Sequence, residues 1–323
     1  MEWITADFLG QPLWMWLGFL TFVFILLVID LGLLSAKSRH ISVAQSMKLS
    51  AFYIAMGIAF GGFIWWRMGH EAAVLYLTGY VVEESLSLDN IFVIALIFGY
   101  FKIPQHLQHR ALVYGIIGVV VLRGIMVAAG TAIVDQFHWV LYVFAAFLVY
   151  TGIKMLLSAE EEYDVAGNPI LRFLHRHLPI TEDLHGEKFF VRLPQPGDAV
   201  GKPKLFATPL FLALVMVEFA DVIFAVDSVP AIFSITTDPY LVFTSNIAAI
   251  LGLRALYFAL SAMLERFVLL KYALSAVLIF IGGKILAGEM LGLGKMPPLV
   301  SLVITLAILS AGVIGSLLKT KAR

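Results

Sequence analysis

The stretch Val217–Ile232 reads VEFADVIFAVDSVPAI. It is apolar enough to lie in a bilayer, yet it carries Glu218, Asp221 and Asp227, followed by Pro230. At mid-membrane each ionised carboxylate costs about 2.5–3.5 kcal/mol on insertion scales, so the three acids together offset most of the hydrophobic gain of the span. Such residues persist where they line a cavity, pair with another group or bind a cation. The rest of the chain reads as the frame around that stretch.

The frame is membranous. Of 323 residues, 61% are hydrophobic and only 14% are charged, with a mean hydropathy of +0.94. Soluble domains are closer to half apolar. Apolar runs of about 20 residues recur throughout, the length a helix needs to cross a bilayer. The expected fold is all-α, a polytopic transmembrane helical bundle. About nine spans are predicted, at 14–34, 47–66, 73–99, 110–134, 138–157, 205–234, 240–263, 267–287 and 297–318. The chain holds no cysteine, which removes disulfides, thiolate metal sites and direct thiol redox chemistry. Its first residues, MEWITADFLGQPLW, contain Glu2 and Asp7 but no Lys or Arg, so the first apolar run is expected to stay as a helix rather than act as a signal peptide.

Basic residues set the expected orientation. With the N-terminus outside, sixteen Lys and Arg fall in cytoplasmic segments, only Arg67 and Lys295 fall outside, and Arg123, Lys154, Arg254 and Lys284 lie in spans. The prediction is N-terminus out and C-terminus in the cytoplasm. Three parts follow: a membrane half over 1–157, a cytoplasmic loop over 158–204 and a second membrane half over 205–323. The loop opens on Glu160-Glu161-Glu162 and has His175, His177 and His185. Its Pro, Gly and mixed charge suit a solvated connector, with metal sampling by the histidines as the lesser reading.

The halves repeat. EESLSLDNIFVI (83–94) aligns without gaps on DVIFAVDSVPAI (221–232), pairing Glu83 with Asp221, Asp89 with Asp227 and Asn90 with Ser228. VLRGIM around Arg123 matches GLRALY around Arg254, and LVYTGIK ending at Lys154 matches LIFIGGK ending at Lys284. Repeat A (about 73–157, spans 3–5) therefore corresponds to repeat B (about 205–287, spans 6–8). An odd number of spans per copy makes this an inverted-topology repeat, an arrangement whose ion sites lie at the repeat interface near the midplane.

At about 100° per residue, Glu83 and Asn90 share a helix face, as do Asp221 and Ser228, while Asp89 and Asp227 stand about 120° away. Pro230 leaves the Val226 carbonyl without its helical donor, so a kink or unwinding is expected there, turning Asp227 inward and freeing a carbonyl. The candidate metal ligands are Glu83, Asp89, Asn90, Glu218, Asp221, Asp227 and Ser228. This all-oxygen, anionic set suits hard divalent cations such as Mn²⁺, Mg²⁺ or Ca²⁺ rather than Zn²⁺ or Cu⁺. Its carboxylates outnumber the charge of one divalent ion, so some are expected to carry protons when the site is empty, which couples metal entry to proton release.

The competing reading makes the acids structural partners of Arg123 and Arg254, or of Lys154 and Lys284, which can snorkel from span ends. Two arginines do not neutralise six acids. Glu84 matches Val222 across the repeat and reads as peripheral. Asp30, near the inner end of span 1, reads equally as a salt-bridge partner or an ion guide. The two arginines read as ties between the repeats, or as the counter-charge of an empty site. Asn246 in span 7, aligned with Gly115, reads as an interhelical hydrogen-bonding group before a tuning ligand.

Longer motifs carry a family resemblance: TGYVVEESLSLDN, LVYGIIGVVVLR, FFVR, and ATPLFLALVMVEFADVIFAVDSVPAIFSITTDP with TSNIAAILGLRALYF. The chain resembles the TerC family of integral membrane proteins, in its Alx-like branch, over nearly its whole length. That resemblance implies a bacterial inner-membrane protein linked to manganese export and to metal or alkaline-pH stress, with older labels of tellurium resistance and redox modulation. The family's acidic positions carry over onto Glu83, Asp89, Glu218, Asp221 and Asp227. Position 84, often basic in the family, is Glu here. The expected activity is therefore secondary transport exporting Mn²⁺, with protons and the lipid bilayer as partners, no nucleic acid and no permanent cofactor. Small-residue patterns permit homo-oligomers as readily as packing within one chain. The alternatives are a non-transporting scaffold or insertion partner acting through the 158–204 loop, and an intramembrane aspartate enzyme. The latter lacks a GxGD-type pairing and any HExxH motif.

Overall fold

The computed structural model describes residues 6–35, 43–157, 165–193, 203–260, 269–290 and 296–321. Within them the chain is a polytopic helical membrane protein. A short hairpin of β1 (Asp7–Phe8) and β2 (Gln11–Pro12) leads into α1 (Leu13–Ser35). Its turn places Leu9 and Gly10 at positive φ, and the Gly10 N–H donates to Asp7 Oδ1 at 2.9 Å. Then come α2 (Val43–Met68), α3 (His70–Tyr100), α4 (Gln105–Gln136) and α5 (Val140–Leu157). After a short amphipathic α6 (Pro169–His177) and the strands β3 (Phe190–Leu193) and β4 (Lys204–Ala207), four more helices follow. They are α7 (Pro209–Phe233), α8 (Pro239–Leu260), α9 (Leu270–Met290) and α10 (Pro298–Lys321).

Seven of the described helices (α2, α4, α5 and α7 to α10) are long and apolar enough to cross a membrane. The other two of the nine expected spans coincide with α1 and with α3, the latter 31 residues long and carrying Glu71, Glu83, Glu84 and Asp89. Helix starts use side-chain acceptors for the orphan N–H groups of the first turn. Thr208 caps α7, Asn168 caps α6, and Asp238 Oδ1 accepts from the N–H groups of Tyr240 and Leu241 at the start of α8.

The α8 helix is the axle, buried along nearly its whole length. It packs on α1, α2, α3 and α4, and α3 and α4 in turn both contact α7. The pairings α3–α8 and α4–α7, α3–α7, α4–α8, and α5–α9 are unchanged when α3, α4 and α5 are exchanged for α7, α8 and α9. The closest case is α5–α9. A Cβ on Gly152 would stand 2.9 Å from the Ser275 carbonyl oxygen and 2.8 Å from Ile279, and a Cβ on Gly282 would collide with the Ala145 carbonyl oxygen and stand 2.9 Å from Val149. Residue for residue, each contact is the other's counterpart in the aligned sequences. Backbones approach this closely only where the side chain is absent, the usual device of helix packing in lipid.

Two expectations change. At Pro230 the helix does not unwind: α7 runs on to Phe233, and the N–H groups of Ser234 and Thr236 donate to the Pro230 and Ile232 carbonyls at 3.0 Å. The proline stands one turn from the helix end, where losing one donor disturbs little of the ladder. No unwound carbonyl at 226 is therefore presented as a ligand.

The described part of the 158–204 loop is also more than a solvated connector. The α6 helix buries Leu171 and Leu174 in the same apolar cluster as Ile103 of the α3–α4 turn and Leu210 of α7. Strands β3 and β4 pair antiparallel, and Ala207 bridges to the 179–181 segment, accepting from the Thr181 N–H at 2.9 Å and donating to the Pro179 carbonyl at 2.8 Å. Thr208 Oγ1 donates to the Lys188 carbonyl at 2.8 Å. Arg110 of α4 pairs with Glu187 and lies over the rings of Tyr114 and Phe189. The segment is a packed cap on the ends of α3, α4 and α7. Of its histidines, His177 Nδ1 lies 2.9 Å from the Phe173 carbonyl oxygen, and no metal-binding group of three or more His, Asp or Glu gathers among the described residues.

Candidate functional site

Four helices converge on one guanidinium. Arg123 of α4 is 1% exposed. Its Nη1 pairs with Glu83 Oε1 of α3, and it holds Asp221 of α7 in a two-pronged grip, Nη2 to Oδ1 at 3.1 Å and Nε to Oδ2 at 3.3 Å. Nη1 also donates to Ser228 Oγ at 3.0 Å and to Asn246 Oδ1 of α8 at 2.5 Å, while Asn246 Nδ2 reaches Glu83 Oε2 at 3.5 Å. Glu83, Ser228 and Asn246 are likewise 2% exposed or less. A buried charge is held this way because an unpaired ion in a low-dielectric interior costs several kcal/mol after relaxation, on the order of the stability of a whole domain. Glu83 and Asp221 are the residues the internal alignment pairs, so the arginine joins equivalent acids of the two halves.

Beside this cluster lies a narrow cavity of about 30 Å³ between α3, α4, α7 and α8. A water needs roughly 10–15 Å³ by the same measure, so the space admits a small ion or one or two waters. Asn90, Glu218 and Asp221 are its polar lining, among apolar residues such as Ile94, Val217 and Phe224. Asn90 is 4% exposed and its Oδ1 accepts no hydrogen bond; both Glu218 oxygens are buried and equally without a partner among the described residues. Glycines make the room. A Cβ on Gly118 would overlap the Glu218 carboxylate, and one on Gly115 would stand 3.0 Å from Oε1.

The structure therefore brings Glu83, Asp221 and Ser228 together on Arg123 and sets Asn90 and Glu218 at the adjoining cavity. Asp89 and Asp227 belong to α3 and α7, but their side chains lie outside the described residues, as do those of Asp30 and Arg254. Glu84 stands apart from the Arg123 cluster. Its buried oxygens face α8, 3.6 Å from where a Gly252 Cβ would be, with no hydrogen-bond partner among the described residues. Of the span lysines, Lys284 donates to Ser301 Oγ at 2.7 Å and Lys154 is exposed; neither forms an ion pair with the acids among the described residues. Asn246, expected as an interhelical hydrogen-bonding group, is one: it joins α8 to Arg123 of α4 and to Glu83 of α3. Gly118 was not singled out in the sequence, although the GIIG spacing of Gly115 and Gly118 on α4 is a sign of close approach.

The comparisons with known proteins agree with this membrane architecture. The integral membrane protein TerC family matches residues 68–323. The chain belongs to the TerC family. Among the relatives of this TerC chain, the Salmonella typhi protein named "Putative membrane-bound redox modulator Alx" is 48% identical over 286 residues, 86% of each chain. The Escherichia coli K12 protein of the same name is 45% identical over 286 residues, again 86% of each. A Myxococcus xanthus protein, "Uncharacterized membrane protein STKORF319", is 41% identical over 317 residues, 98% of this chain and 96% of that one. No solved structure matches.

Proposed function

We propose that this TerC chain is a secondary transporter that exports a hard divalent cation, Mn²⁺ foremost, across the bacterial inner membrane in exchange for protons. The observation that carries the reading is the convergence of repeat-matched Glu83 and Asp221 with Ser228 and Asn246 at a fully buried point, beside a cavity holding unpartnered Asn90 and Glu218 oxygens. Carboxylates, an amide oxygen and a hydroxyl are the donors hard cations take, and none of the buried groups offers imidazole or thiolate. More carboxylates than one divalent ion can neutralise leaves protons to be exchanged as the metal enters and leaves. The exchange-invariant helix pairings support an inverted repeat, the architecture in which one half rocks against the other around a fixed site. The redox wording in the relatives' names belongs to those proteins; a chain without cysteine has no thiol of its own to oxidise. The excess of Lys and Arg in alternate loops supports a periplasmic N-terminus and a cytoplasmic C-terminus and cap.

The test is Mn²⁺ flux in proteoliposomes under an imposed pH gradient. Glu83→Gln and Asp221→Asn are each expected to lower flux at least tenfold while leaving a protein that elutes as a single species. Undiminished flux in both variants would remove the carboxylate site from the mechanism.

A further inference from the structure

The donor shell around Arg123 is itself the shape of a cation site. Glu83 Oε1, both oxygens of Asp221, Ser228 Oγ and Asn246 Oδ1 all point at the guanidinium, five oxygens supplied by α3, α7 and α8. Hard divalent ions take about six oxygens, of which water routinely supplies one or more. The lone pairs that would meet a metal are the ones accepting from Arg123, so ion and guanidinium cannot share them. Two positive charges at that separation in a buried site also repel strongly. Next to the shell, the cavity that Asp221 also lines offers the Asn90 and Glu218 oxygens, which accept from nothing among the described residues. One position is filled by the protein's own cation; its neighbour is built and buried, with Asn90, Glu218 and Asp221 as the polar groups in an apolar wall.

We infer that Arg123 is the resident cation of the transport site and that the exported ion displaces it, arriving through the Glu218–Asn90 cavity and taking over Asp221 and then Glu83. The inference rests on the cation-transport reading above. The ion and the guanidinium are alternative occupants of one set of oxygens. When the ion departs, the arginine returns, so Glu83 and Asp221 are never left charged and bare inside the bilayer, the state that costs most. A permanent structural cross-link would instead keep Arg123 on both acids in every state, with the ion confined to the Glu218 side.

Competition decides between the two. Full-length protein in detergent micelles is titrated with MnCl₂ by calorimetry as wild type, Arg123→Lys and Arg123→Ala. The expected affinities rise in that order, with Arg123→Ala at least tenfold tighter than wild type, because the competitor is weakened and then removed. In Arg123→Ala, millimolar guanidinium chloride is expected to weaken Mn²⁺ binding several-fold, whereas equal NaCl does not, since free guanidinium refills the vacated shell. Equal affinity in all three proteins, or no effect of guanidinium on Arg123→Ala, overturns the inference while leaving cation transport standing. Absence of Mn²⁺ binding in every variant removes both readings. Binding by the variants but not by wild type supports the displacement directly. If Arg123→Ala does not elute as a single species, Arg123→Lys carries the test. It keeps the charge and loses the planar fork, so an affinity unchanged from wild type overturns the inference.

Discussion

Asn246 shows how a single uncharged side chain conditions the whole ionic cluster. Its amide oxygen accepts from Arg123 and its amide nitrogen faces Glu83, and it is fully buried. Removing it still leaves the two N–H groups of Arg123 Nη1 the oxygens of Glu83 and Ser228, but it takes the donor from Glu83 Oε2 where no bulk water reaches, an unsatisfied-group penalty of roughly 1–3 kcal/mol. Asn246→Ala is therefore expected to lower thermal stability in detergent by about that amount, and Asn246→Asp to disturb the charge balance of the cluster further. A thermal-shift comparison checks both; an Asn246→Ala protein as stable as wild type would mean the amide is dispensable to the cluster. Gly118 has the complementary role of leaving space. Because a methyl there overlaps the Glu218 carboxylate, the same substitution that favours helix elsewhere removes the cavity here.

Among the helices, the α5–α9 contact brings two glycines against the facing backbone. Gly282 presses on the Ala145 backbone and Gly152 on the Ser275 backbone, and neither carbonyl can yield without moving a helix. Gly282→Ala is expected to destabilise by about 1–3 kcal/mol, the ordinary cost of overpacking. At its neighbour Gly283 an added methyl would meet no atom within 4 Å, so Gly283→Ala is expected to be neutral or stabilising by up to about 1 kcal/mol through helix propensity. Chemical or thermal unfolding of the pair isolates packing from propensity; equal effects at the two positions would contradict the close approach. The α7 helix teaches a different point. Its proline interrupts one hydrogen bond near the end of the helix rather than opening the middle, so the acids at 218 and 221 stand on regular helix and are aimed by rotation about one axis.

Across the whole molecule, the absence of cysteine makes topology directly measurable with single introduced thiols. Asp135, at the end of α4, and Asp183, in the cap, are both exposed. With the N-terminus outside, Asp135→Cys is expected to react with an impermeant maleimide on intact spheroplasts, and Asp183→Cys only after permeabilisation. The reverse pattern would invert the orientation and, with it, the direction assigned to export. The cap is packed on α3, α4 and α7 through Leu171, Leu174 and the Arg110–Glu187 pair. It thus shares an apolar cluster with Ile94, Leu112 and Val217, which line the cavity.

What the amino-acid order determined by itself was the class and the helices, and it marked Glu83 and Asp221 as acids that a membrane span must pair or solvate. Long apolar runs admit only helices in lipid, because every backbone group must be satisfied within its own segment, and the predicted spans fall within a few residues of the helices formed. That Glu83 and Asp221 meet was also legible, since the internal alignment of 83–94 with 221–232 sets them against each other and both pair with Arg123. Tertiary structure decided what those acids face. Arg123 lies some forty residues from Glu83 and nearly a hundred from Asp221 along the chain, and periodicity assigns a residue to a face without saying which neighbour meets it. The same limit hid the close approach at Gly118 and the packing of the cap, both of which depend on distances between helices. Pro230 marks the boundary between the two kinds of knowledge. Its missing N–H is a property of the residue, but whether the helix opens there depends on how many turns remain and on what holds them.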